Sequence, residues 1–200
     1  MRLVATRHAG AAAIALAAGA WLASATVAAA QSRQPAPYDR WPFTLVDEIR
    51  FGVLAHNVEP SNAEDGVDLN LEVLFARPAA SYGNPVLDVI LRPRIHLGTS
   101  LNTAGDTNQL YAGLTWDAKL TQKLSLELSF GGSLHDGPTG AVGADSYGCS
   151  LNFRESASLG YALDERWTLY GTVAHMSNAN LCDRNTGLTS VGVRLGYKLK

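Results

Sequence analysis

The feature that most constrains this chain is an alternation of apolar and polar residues that recurs along most of its length. Ile49, Phe51, Val53 and Ala55 alternate with Glu48, Arg50, Gly52 and His56. The same period of two runs through Val67–Phe75, through Asp88–Leu97, through Leu110–Asp117 and through Leu124–Gly131. It returns in Leu151–Tyr161, in Trp167–Val173 and in Val191–Leu199. A period of two puts all the apolar side chains of a segment on one face, as in a strand and not a helix. Eight such strands predict an all-β chain. Long polar connections at 57–66, 99–108, 135–147 and 178–187 alternate with short ones at 119–123 and 164–166 and a somewhat longer one at 78–86. An even strand number, with long loops at one end and short turns at the other, is the pattern of an eight-stranded antiparallel transmembrane β-barrel.

The two faces say which side is in. A soluble barrel hides its apolar face inside, whereas a membrane barrel turns it to lipid. The polar face carries Glu48, Asp68, Glu72, Asp88, Asp117 and Glu127 against Arg50, Arg92, Arg94, Arg154, Arg194 and Lys198. A barrel of this size has an interior that side chains just fill. Balanced charges can pair there, and the expected interior is polar and filled. A lipocalin-like carrier with an apolar pocket would not be built this way. Trp116, Tyr161, Trp167 and Tyr197 sit near strand ends, where aromatic girdles belong.

Composition agrees once it is divided. The 200 residues carry a net charge of −2 and only two cysteines. No basic face points to nucleic acid, and there is no disulfide scaffold or zinc ribbon. Residues 1–30 combine Arg2, Arg7 and His8 with an uncharged run that ends in Ala28-Ala29-Ala30, and read as a secretory signal peptide. Residues 31–45 form a Pro-containing lead-in, and the barrel occupies 46–200. Without Arg2 and Arg7, 14 Lys+Arg face 18 Asp+Glu, a charge of −4. Mean hydropathy close to zero thus averages a leader, a lipid face and a charged interior. The expected location is the outer membrane.

One strand changes character at its end. Along Arg166–Ser177 the apolar parity of Trp167, Leu169 and Val173 continues into His175 and Ser177. Residues two apart on one face are separated by roughly 6.6–7 Å along a strand. An imidazole and a hydroxyl can bridge that gap as base and nucleophile. His56, His96 and His135 are scattered and suggest no metal site, and no cofactor is implied.

The segment His175-Met176-Ser177-Asn178-Ala179-Asn180, with Asn185-Thr186-Gly187-Leu188 and the strand Val191-Gly192-Val193-Arg194-Leu195-Gly196-Tyr197, resembles the lipid A 3-O-deacylase (PagL-type) family. The resemblance covers about the last 26 residues. It implies an outer-membrane barrel that hydrolyses an ester-linked acyl chain of lipid A, with lipopolysaccharide as substrate and membrane lipids around it. A homodimer is compatible with such a barrel. The resemblance makes His175 the general base and Ser177 the nucleophile. It maps the backbone oxyanion donors to Asn178–Asn180, with Asn180 standing where the family pattern allows Gly. The family's acid aligns with Thr189, which cannot act as a carboxylate.

Hairpin register offers a replacement. Pairing Leu163 with Trp167 places Glu155 directly across from His175, so Glu155 is expected to orient the imidazole, with Asp183 in the last loop as the runner-up. The same register sets Cys149 opposite residue 181, next to Cys182. A disulfide between the two cysteines is expected outside the cytoplasm. The rival reading is a non-enzymatic structural or adhesion barrel, which the missing acid at position 189 favours.

Overall fold

The computed structural model describes residues 45–59, 64–79, 81–140 and 146–199. The expected signal peptide, 1–30, and nearly all of the expected lead-in, 31–45, lie outside the described residues. Eight strands follow in order: β1 Val46–Ala55, β2 Val67–Phe75, β3 Arg94–Asn102, β4 Gln109–Lys119, β5 Leu124–His135, β6 Leu151–Ala162, β7 Trp167–Ser177 and β8 Leu188–Lys198. Each pairs antiparallel with the next, and β1 pairs with β8 to close the barrel. Closure leaves no strand edge unpaired, which a lipid-facing sheet requires.

The faces are those of a membrane barrel. Phe51, Leu71, Ile95, Leu128, Leu159 and Val193 are exposed, while Glu48, Arg50, Glu72, Glu127 and Arg194 are buried. Buried charge is costly unless it is paired, and here the pairing is dense. Arg50 donates to Glu48 at 2.9 Å, to Glu127 at 2.7 and 2.9 Å and to Tyr170 Oη at 3.1 Å. Arg94 reaches Glu48 at 2.8 Å, and Arg194 reaches Glu72 at 3.0 Å. Arg154 lies over the ring of Tyr111 at 3.7 Å.

Two residues expected in that interior are outside it. Asp88 and Arg92 do not belong to a strand: Pro85–Leu91 is a short helix, α1. The reason is local. Asn84 Oδ1 accepts from the N–H groups of Val86 and Leu87 at 2.9 and 3.2 Å, and Pro85 occupies the first turn, where its missing donor costs nothing. Pro93 then prevents continuation, and β3 starts only at Arg94. On the helix Asp88 and Arg92 form an i,i+4 pair at 3.6 Å, and Val86, Leu87, Ile90 and Leu91 are exposed. Residues 99–102, expected in a loop, extend β3. The four aromatics expected as girdles all lie toward the short-turn end. Trp167 packs on Tyr197 at 4.6 Å and on Phe51 at 6.4 Å.

The opposite end carries the long loops, and buried polar contacts knit them together. Glu64 accepts from Thr107 Oγ1 at 2.8 Å and from Tyr147 Oη at 2.7 Å, and contacts His56 Nε2 at 3.1 Å. His56 Nδ1 lies 2.7 Å from Asp68. Burial alone would lower the His56 pKa, but the hydrogen bonds it donates to Asp68 and Glu64 raise it to about 9. Glu64 is correspondingly held below its ordinary value. Three loops are therefore tied at one carboxylate.

Candidate active site

β7 delivers His175 and Ser177 to this loop end. Both continue the outward parity of the strand, and both are half-buried. The β6–β7 register pairs Glu155 with His175 and Phe153 with Ser177, as the hairpin arithmetic expects. On the other side, the β7–β8 register pairs His175 with Thr189. The imidazole thus stands between a carboxylate and a hydroxyl.

It bonds to the hydroxyl. His175 Nδ1 lies 2.7 Å from Thr189 Oγ1, and no hydrogen bond joins it to Glu155 among the described residues. Direct opposition brings Cβ atoms together, but it does not aim side chains that project side by side from the sheet. Asp183, the other expected acid, likewise makes no hydrogen bond to the imidazole. Thr189 Oγ1 in turn donates to a carboxylate that sequence reasoning missed, Glu59, just past β1. Glu59 Oε1 is also 3.5 Å from His175 Nδ1. The available signal was the outward parity of β1 carried past Ala55 and across the β1–β8 seam, which a hairpin-by-hairpin reading does not cross.

With Nδ1 engaged, Nε2 is the nitrogen available to Ser177. Among the described residues no hydrogen bond links His175 to Ser177 Oγ. Gly187 makes the packing around the ring possible. A Cβ there would lie 2.5 Å from His175 Cε1 and 3.1 Å from Nε2.

The expected oxyanion stretch has a defined shape. Leu181 N donates to Asn178 O at 3.0 Å, and the two central residues, Ala179 and Asn180, have φ of 53° and 62°. This is a turn with both central residues left-handed. Asn suits that conformation, whereas an Ala there costs of order 1 kcal/mol or more. The N–H of Asn178 is already taken by Asn185 Oδ1 at 2.8 Å, so it is not an open oxyanion donor as expected. The Asn178 side chain is buried and donates to Tyr147 O at 2.7 Å and to Arg184 O. It anchors the loop and leaves the N–H groups of Ala179 and Asn180 as the candidates. Cys149 and Cys182 are joined in a disulfide, with Cα atoms 6.0 Å apart, which ties the β5–β6 loop to the β7–β8 loop.

Beside the site lies an outward-opening groove of about 350 Å³. Phe130, Leu151, Phe153 and Leu181 give it apolar walls, and Gly131 and Gly132 also line it. Its size is at the low end of small-molecule sites, roughly 300–1,000 Å³.

The family model described as lipid A 3-O-deacylase (PagL) matches residues 91–198. That span includes β3 to β8 and leaves Glu59 outside. A solved structure described as the outer membrane enzyme PagL is 17% identical with a TM-score of 0.56, covering 75% of this chain and 98% of that one. Neisserial surface protein A (NspA) is 9% identical with a TM-score of 0.50, covering 76% and 96%. At these identities the likeness shows a shared outer-membrane barrel fold. Among curated proteins nothing matches.

Proposed function

Because the chain belongs to the lipid A 3-O-deacylase (PagL) family, we propose that it is a serine esterase that hydrolyses the ester-linked 3-O-acyl chain of lipid A. The observation that carries this reading is the pair His175 and Ser177 on the lipid-facing side of β7, with Nδ1 of the imidazole anchored at Thr189. A structural barrel has no use for an anchored imidazole two residues from a serine at the head-group level.

Ser177 Oγ attacks the ester carbonyl carbon as its proton passes to His175 Nε2. The carbonyl oxygen takes the negative charge, and the N–H groups of Ala179 and Asn180 are the proposed donors to it. The intermediate collapses, the bond to the sugar oxygen breaks, and that oxygen takes the proton from Nε2. An acyl-serine remains. Water then attacks it, giving a proton to Nε2. As the second intermediate collapses, Ser177 Oγ recovers the proton and the fatty acid leaves. The apolar groove lined by Phe130, Leu151, Phe153 and Leu181 supports an acyl chain lying beside Ser177. A site on the outer face needs no extraction of the lipid from its bilayer.

Mass spectrometry of lipid A from cells expressing wild type or Ser177→Ala tests the proposal. Wild type should remove one hydroxyacyl chain, and Ser177→Ala should leave lipid A intact. Intact lipid A with folded wild-type protein would refute it.

A further inference from the structure

Position 189 holds no carboxylate, yet chain closure brings one to it from β1. Asn57 takes a left-handed φ of 46° just after β1. Val58 N then donates to Thr189 O at 2.8 Å, one residue off the β1–β8 register that pairs Ala55 with Val191. The next residue is Glu59. Its carboxylate accepts from Thr189 Oγ1 and stands 3.5 Å from His175 Nδ1.

The direction of these bonds sets the state of the histidine. A threonine hydroxyl has one proton. Thr189 gives it to Glu59, which as a carboxylate can only accept. Toward His175, Oγ1 is then an acceptor, so Nδ1 must carry the imidazole hydrogen. That tautomer leaves the Nε2 lone pair for the proton of Ser177, the form a general base needs. When Nε2 takes the proton, the imidazolium charge arises 3.5 Å from Glu59 Oε1. Gly187 leaves room for this arrangement, since a Cβ there would meet His175 and lie 3.4 Å from Glu59 Oε1.

We propose that Glu59, acting through Thr189, is the positioning acid for His175, a carboxylate supplied by the first loop and not by the last strand. The inference rests on the esterase reading of His175 and Ser177. Glu155 on β6 is paired with His175 in register, and Glu59 comes from the loop after β1. Among the described residues, only Glu59 is in the hydrogen-bond chain of the imidazole.

The test uses the full chain refolded in detergent micelles, with lipid A as substrate. Glu59→Gln should lower kcat by roughly 10²-fold or more, the scale of misdirected acid–base catalysis, with KM little changed. Glu155→Gln should give the smaller loss. Thr189→Glu added to Glu59→Gln should recover at least about tenfold, because a carboxylate at 189 can meet Nδ1 directly where the hydroxyl now lies 2.7 Å away. The second readout does not need turnover: ¹⁵N NMR of the His175 ring. Glu59→Gln should shift the tautomer away from protonated Nδ1, because Thr189 Oγ1 then no longer has a carboxylate to donate to. Wild-type kcat in Glu59→Gln, or a larger loss in Glu155→Gln, would overturn the proposal. If wild type itself leaves lipid A intact, the esterase reading falls, and the tautomer seen by NMR alone then decides the role of Glu59. An unchanged His175 ring in Glu59→Gln would overturn it.

Discussion

Gly187→Ala isolates the geometry of the histidine from the stability of the barrel. The new methyl would lie 2.5 Å from His175 Cε1, where ordinary contact begins at 3.4 Å. The ring must therefore retreat by about 0.9 Å. Nε2, at 3.1 Å from the same methyl, is pressed as well. A misplacement of about 1 Å can cost roughly 10²-fold in rate, which is about 2.7 kcal/mol of barrier. The backbone gives no offsetting penalty, because Gly187 is not among the left-handed glycines. Replacing such a glycine by alanine narrows the unfolded ensemble and adds about 0.4–1 kcal/mol of stability where the site can take it. The expected signature is a fall in kcat with an unchanged or slightly raised unfolding midpoint. The assays are initial rates on lipid A in micelles and urea unfolding followed by tryptophan fluorescence. Unchanged kcat would refute the reasoning, and so would a loss of rate that follows a loss of stability.

Two further outcomes follow from the interior and the loops. Arg50→Met leaves Glu48, Glu72 and Glu127 short of their shared cation and should cost about 3–5 kcal/mol in urea unfolding; adding Glu127→Gln should recover part of it, and a loss below about 1 kcal/mol would contradict the pairing. His56 has its folded pKa raised to about 9, so its contribution is full below the unfolded value near 6.5 and is lost as pH rises through about 9. The shift corresponds to an upper value of about 3 kcal/mol. Hydrogen exchange in the 56–66 loop should accelerate between pH 7 and 10 beyond the intrinsic rate, and His56→Gln should remove that dependence.

What the sequence determined by itself was whatever repeats locally. Period two identified the strands, and the balance of Glu and Arg on one face showed which side meets lipid. Parity carried His175 and Ser177 to the outward end of β7. A tight turn at Asp164-Glu165-Arg166 was enough to place Glu155 opposite His175, because hairpin register depends on a few neighbouring residues. Where a local cap competed with the alternation, the alternation misled: Asn84 and Pro85 turn the expected start of the third strand into α1 and take Asp88 and Arg92 out of the interior.

Tertiary structure decided the rest. Which Glu meets which Arg inside depends on all eight strands at once, as the sequence separation of 77 between Arg50 and Glu127 shows. Glu59 reaches Thr189 across 130 residues, through the one strand pair that no turn connects. Opposed residues in a hairpin are given by adjacency in sequence. The β1–β8 seam is set only when the barrel closes, and its loop-closure entropy is met by the whole sheet. The partner of His175 was therefore legible as a missing acid at position 189, and its replacement became visible only in the closed fold.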